Sequence, residues 1–262
     1  MSARPASRAR RLARVLAAEA RAEFLKLLRL PAFVVPTLAF PVMFYLLFAV
    51  AFGAGRAVGQ VSMATYMVAT YGTFGVMGAA FGGLGIGIAV ERGQGWLTVK
   101  RASPMPGLAY FGAKMVMSLA FGAIIVALLF ALGAAVGHVR LPAATWAGLA
   151  AVLVLGAVPF CAIGCALGFA VGPNAAPAVA NLVFLPMAFA SGLWIPLEAL
   201  PDAFRAVAPA LPPYHLSRLA LGVVGVGGGS AATHLAALAG FTVVFALVAA
   251  GAYRRDEGRT YG

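Results

Sequence analysis

Charge is what this sequence has least of. Only 10% of its 262 residues are charged, and seven Asp and Glu stand against nineteen Lys and Arg. Soluble globular chains carry about a quarter charged residues. With 63% hydrophobic residues and a mean hydropathy of +0.96, the chain reads as an integral membrane protein. None of the seven carboxylates falls inside a long apolar run. Glu19 and Glu23 precede the first run, Glu91 ends the second, Glu198 and Asp202 precede the last, and Asp256 and Glu257 follow it. Carriers driven by protons or sodium ions place a carboxylate or a histidine at membrane depth, so that coupling is poorly served. The three histidines, His138, His215 and His234, map to the ends of runs on one side, where they read as surface or interfacial groups. Cysteine is confined to Cys161 and Cys165, four apart on one helix face and without the histidine or carboxylate companions of a metal site. Paired carboxylates and a nucleophile with a base at the same depth are missing too, which argues against a membrane enzyme. A nucleotide loop is absent: in Gly107–Lys114 an alanine, Ala113, stands where lysine should follow Gly112, and no strand precedes it.

What the chain does have is apolar length. A bilayer crossing needs about 20 apolar residues, and six runs qualify: roughly 31–53, 62–90, 108–136, 145–170, 175–194 and 232–252. Pro186 makes a straight fifth span doubtful. Gly78–Gly82, Gly83–Gly87, Gly164–Gly168 and Gly168–Gly172 are small-residue pairs that let helices approach closely. Residues 1–30 place Leu12, Val15, Leu16, Ala20, Phe24, Leu27 and Leu28 at helical spacing, with Arg11, Arg14, Arg21 and Arg29 opposite. This predicts an amphipathic helix lying in the membrane surface. Glu19 and Glu23 fall within its apolar arc, which suits contact with protein better than lipid. Ala49-Val50-Ala51 resembles a signal cleavage site, but the lead is too long and the run too extended. The +12 net charge does not indicate nucleic acid, because the basic residues flank apolar runs. Fourteen of them collect in the N-terminal tail, around Arg92 and at the C-terminus, against four on the other side. The positive-inside rule then makes both termini cytoplasmic.

Two polar stretches interrupt this pattern. Residues 91–106, ERGQGWLTVKRASPMP, crowd Glu91, Arg92, Lys100 and Arg101 between two membrane-length runs, so the stretch lies at a membrane surface. Gly95 opens a compact amphipathic piece with Trp96, Leu97 and Val99, and Pro104 and Pro106 stop it. That predicts about two turns of helix offering apolar side chains to a partner. Residues 195–231 are apolar but broken by Pro196, Pro201, Pro209, Pro212 and Pro213. Short helices at the outer interface, or a re-entrant hairpin buried against protein, fit that pattern.

The motif Glu91-Arg92, Gly95, Leu97, Lys100-Arg101, Ser103-Pro104-Met105-Pro106, then Tyr110 and Lys114, resembles the ABC-2-type permeases, with Gly93-Gln94 departing where a second charged pair is common. Ser191-Gly192-Leu193-Trp194-Ile195-Pro196-Leu197-Glu198-Ala199-Leu200-Pro201 is similar to that family's outer signature, and Leu211-Pro212-Pro213-Tyr214 to its closing element. The resemblance implies an all-α integral membrane fold. Its parts would be a cytoplasmic amphipathic helix at 1–30 and a six-span domain at 31–262, holding a coupling helix within 91–106 and an extracellular re-entrant segment within 195–231. It implies a subunit that binds no cofactor itself. ATP and Mg would sit on a separate cytoplasmic ABC ATPase, and a second permease subunit, identical or not, would complete the exporter among membrane lipids. Coupling would fall to Glu91, Arg92, Gly95, Trp96, Leu97, Lys100, Arg101 and Pro104, with Trp96 and Leu97 as apolar anchors and Glu91 paired with Arg92, Lys114 or the partner. An outer gate would comprise Trp194, Pro196, Glu198, Pro201, Pro213 and Tyr214. Cargo of drug, lipid or glycolipid type, as in drug-resistance exporters, is implied but not distinguished. An ATP-independent channel or membrane scaffold is the alternative.

Overall fold

The computed structural model describes residues 5–102, 107–227 and 229–260. Helix α1 (Pro5–Leu28) is followed directly by α2 (Pro31–Phe44). Pro31 starts α2 with its backbone already set for a helix, and the helix continues past Pro36 and Pro41 into a π-wound stretch, Tyr45–Ala51. A two-residue hairpin, β1 (Ala57–Val58) against β2 (Val61–Ser62), turns the chain back. The Ser62 hydroxyl accepts from the Thr65 N–H at 3.1 Å and so caps α3 (Met63–Ala80). Nearly every residue of α3 is buried, which makes it the central post of the bundle. It runs on through a π-wound stretch, Phe81–Ile86, into α4 (Gly87–Gly93).

Helix α5 (Trp96–Ala102) is the short helix expected within 91–106, and α6 (Gly107–Ala135) is the third long apolar element. Then come α7 (Ala143–Leu155), α8 (Val158–Ala170) and α9 (Ala176–Ala190). The proline-broken segment forms two 3-10 turns, α10 (Asp202–Val207) and α11 (Pro212–Val223), before α12 (Ala231–Thr260) closes the chain. Among the described residues, five elements are long and apolar enough to cross a membrane: Pro31–Ala51, Met63–Gly93, Ala109–Ala135, Ala143–Ala170 and Ala231–Asp256. The fifth expected run is the exception. It forms the 15-residue α9, about 22 Å long against a hydrocarbon core of about 30 Å. Pro186 lies within α9, and the turn at Gly192, with φ of +73°, follows its end.

The small-residue pairs do bring helices together, and within this chain. A Cβ on Gly168 would lie 2.8 Å from the Gly85 carbonyl oxygen, and one on Gly164 would lie 3.0 Å from that of Ala80. Backbone therefore meets backbone where α8 crosses the π-wound stretch. Helix α1 does not cross the bundle but lies along α6, with Phe24 against Phe121 at 4.9 Å between ring centroids.

Candidate functional site

The N-terminal helix and three consecutive helices much later in the chain bring six oppositely charged groups together at one end of the bundle. Helix α1 contributes Glu19, Glu23 and Lys26, α4 contributes Glu91, α5 contributes Lys100 and α6 contributes Lys114. Lys114 is at the centre. Its side chain is 1% exposed, and its Nζ lies 3.0 Å from Glu23 Oε2 and 2.9 Å from Glu91 Oε1. The Tyr110 hydroxyl donates to the other Glu91 oxygen at 2.7 Å. Lys26 donates to Glu91 and lies 2.8 Å from Glu23. Lys100 bridges Glu19 at 2.5 Å and Glu23 at 2.9 Å, with its Nζ 4.7 Å from the Tyr110 ring centroid. Three carboxylates thus face three ammonium groups. Desolvating an ion costs several kcal/mol, and the balanced count offsets that cost. Burial pushes the Glu23 carboxyl up, yet Lys114 and the bonds from Lys26 and Lys100 outweigh it and bring it down to about 2. Lys26 and Lys100 are raised for the same reason: burial lowers them, and the carboxylates, Glu91 first for Lys26 and Glu19 for Lys100, more than reverse it.

The remaining hinge residues divide between this cluster and the surface. Gly95 adopts φ of +77°, a left-handed conformation that glycine takes freely, and its carbonyl accepts from Thr98 and Val99 to start α5. Trp96 and Val99, three residues apart on one face, are 56% and 61% exposed. Leu97 is 4% exposed and belongs to the chain's own core. This corrects the expectation that Leu97 is an anchor for a partner: the helix turns it and Lys100 inward together. Lys100 is likewise committed to Glu19 and Glu23 and does not project as an orienting charge. Arg92 donates to the carbonyls of Phe169 and, at 2.8 Å, Val171, where α8 ends, and lies 3.7 Å from Asp256. A cation at a helix C-terminus satisfies carbonyls that have no partner within the helix. Of the pairings expected for Glu91, Lys114 is the one formed; Arg92 serves α8 instead. The Arg101 side chain and all of Pro104 lie outside the described residues.

At the opposite end the expected gate residues divide: Trp194 and Pro213 sit in packed structure, while Glu198 and Pro201 are exposed. Trp194 is surrounded by Phe44, Phe74 and Phe189 at 5.6, 5.8 and 6.0 Å, and its carbonyl accepts from the Tyr71 hydroxyl at 3.3 Å. Pro196 and Pro201 precede a 3-10 turn and α10 respectively, while Pro213 and Tyr214 open α11. Glu198 pairs with Arg218 at 3.3 Å, and Asp202 pairs with Arg205. Two histidines overturn the surface reading. His215 and His234 are 7% and 6% exposed, with their Nδ1 atoms 2.9 Å apart. Helix α11 folds back on α12 and buries both rings, a contact across the glycine lead that no local pattern announces.

Between α2, α3 and α9 runs a groove of about 330 Å³, with Phe33, Phe40, Phe74, Phe81, Phe184 and Asn181 among its lining residues.

Residues 15–224 match the family described as ABC-2 type transporter. The chain is also 28% identical over 243 residues to "Putative transport permease YvfS" of Bacillus subtilis (strain 168), an alignment covering 93% of this chain and 98% of that protein. The apolar helices make the protein a multi-pass membrane protein. With the family match running from α1 to the end of α11, the conclusion is that this chain belongs to the ABC-2 type transporter family and is a transport permease.

Proposed function

We propose that this chain is the membrane-spanning subunit of an ATP-driven exporter, moving a hydrophobic or amphipathic substrate outward with energy from a separate cytoplasmic ABC ATPase. The observation that carries this reading is the two-faced α5. Its outer face offers Trp96 and Val99 to a partner, while its inner face, through Leu97 and Lys100, is tied into the buried ion cluster. A push on α5 would pull Glu19 and Glu23 on α1 and, through Lys114 and Glu91, act on two long spans at once. Such a device suits a chain whose long spans carry their acidic groups, Glu91 and Asp256, at their ends and not at mid-depth, so that its energy would come from outside. The ion cluster would then lie on the cytoplasmic side of the cell membrane with both termini, and the gate residues outside. A second permease subunit would cover the exposed faces of α2 and α9, among them Val35 and Leu182. Cargo would pass along the phenylalanine-lined groove at that junction, which offers no charge to a polar solute.

The test is to replace Trp96 and Val99 together by alanine. Truncating a buried interface anchor costs about 2 kcal/mol, roughly thirtyfold in affinity. The double variant should insert and unfold like the parent but lose its co-purifying ATPase and ATP-dependent efflux. An ATPase still held with unchanged affinity would overturn the assignment.

A further inference from the structure

A second cavity, roomier than the phenylalanine groove, lies away from both that groove and the ion cluster. It holds about 780 Å³ between α7, α8, α11 and α12, towards the face opposite the cluster. That is within the range of about 300–1,000 Å³ usual for small-molecule sites. Its lining is apolar or glycine except for Arg218, His234 and Thr242, and it includes no carboxylate. Leu155 and Leu235, 65% and 58% exposed, stand at its edge on two different spans, so its mouth opens sideways into the bilayer.

Both nitrogen-bearing groups are braced from behind. Arg218 lies 5.3 Å from the Tyr214 ring centroid, and one of its nitrogens reaches Glu198 at 3.3 Å. A guanidinium has five N–H donors, so one carboxylate oxygen at that distance leaves it capacity for an anion. His215 Nε2 must donate to the Pro209 carbonyl 2.9 Å away, since a carbonyl only accepts. Burial also holds His215 towards its neutral form. Its Nδ1 is then an acceptor, and His234 Nδ1 donates to it. The ring of His234 is thereby fixed at the cavity wall.

We infer that this cavity is a site for an anionic phospholipid of the surrounding leaflet, one acyl chain lying between α7 and α12 and the phosphate held by Arg218. Apolar walls, a lateral mouth and a braced cation at one end are what such a molecule requires, and a neutral or cationic amphiphile would offer no anion to the guanidinium N–H groups that Glu198 does not take. This inference does not rest on the transport reading, so its failure and that reading's failure are separate.

The experiment uses the full chain, purified, stripped of lipid and titrated with phosphatidylglycerol or phosphatidylcholine of identical acyl chains under native mass spectrometry. The expected result is one tightly held phosphatidylglycerol, preferred about tenfold, the size of one charge-assisted contact. Arg218→Gln should bring the two lipids to parity. Glu198→Gln, which changes an exposed carboxylate, should strengthen phosphatidylglycerol binding. Leu235→Trp, which fills the mouth, should weaken both lipids about tenfold. Equal affinity for the two lipids in the parent, or a preference that survives Arg218→Gln, would overturn the proposal. Should Arg218→Gln fail to fold, Glu198→Gln decides: no gain in phosphatidylglycerol affinity overturns it.

Discussion

Replacing Lys114 by methionine removes the ammonium that both Glu23 and Glu91 share, while keeping most of the side-chain volume. The cluster then holds three carboxylates against two ammonium groups, and its net charge goes from zero to minus one. Breaking a buried ion pair from one side costs about 3–5 kcal/mol, because the remaining charge is left desolvated. Lys26 and Lys100 still touch the two orphaned carboxylates, which places the expected loss at the lower end, about 3 kcal/mol. For a chain of this size that is about 6–12 °C in Tm. The measurement is thermal unfolding of the purified protein followed by tryptophan fluorescence. The stronger form of the test adds Glu91→Gln to Lys114→Met. Two carboxylates then face two ammonium groups again, so the double variant should be more stable than the sum of the singles by about 1–3 kcal/mol. Additive losses, or a Lys114→Met protein that melts like the parent, would refute the view that charge balance holds these four segments together.

Gly168→Val drives a side chain into the Gly85 carbonyl and into Ile88, both 2.8 Å from its Cβ. It should therefore lower stability by about 3 kcal/mol, the upper end for overpacking, measured in the same assay, whereas the same change at Gly172, which has open space around it, should cost little. Glu23 is lowered from its ordinary 4.5 to about 2, so its stabilisation is complete above pH 4.5 and is lost as the pH falls from there through about 2. Acid titration of Tm should show this fall, and Glu23→Gln should flatten it in that window. Asp202→Ala removes a partner of Arg205 in which the two side chains are 92% and 50% exposed, and it should change stability by less than about 1 kcal/mol; a large loss would mean that the pair is covered by something else.

The membrane-length runs were legible because a span needs only composition and length, and α2, α3–α4, α6, α7–α8 and α12 fall where the apolar runs lie. The hinge helix was legible through Gly95 and the amphipathic piece after it. Glu19 and Glu23 were legible as groups that did not belong in an otherwise apolar arc, although their partners were not. Lys100 and Lys114 lie 77 and 91 residues from Glu23, and nothing local ties a carboxylate to a lysine at that separation. The direction of Leu97 was hidden for a related reason. In a two-turn helix with apolar residues at 96, 97 and 99, either face can be the buried one, and only the position of Lys100 over α1 decides it. The histidine pair was missed because its burial depends on α11 packing back on α12, a tertiary event.

The π-wound stretch Phe81–Ile86 lines part of the phenylalanine groove and leads from it towards Glu91 on the same long element. An α-helix is a stiff rod, but a π turn holds an additional residue as slack. Moving that slack one step along the chain turns the residue it passes by about 100° and shifts it by about 1.5 Å, while the helix on either side keeps its place. Residues within the stretch can therefore be re-aimed without turning the two ends of the element. The backbone contacts with Gly164 and Gly168 supply a smooth bearing for such a shift, since no side chain there has to climb over another.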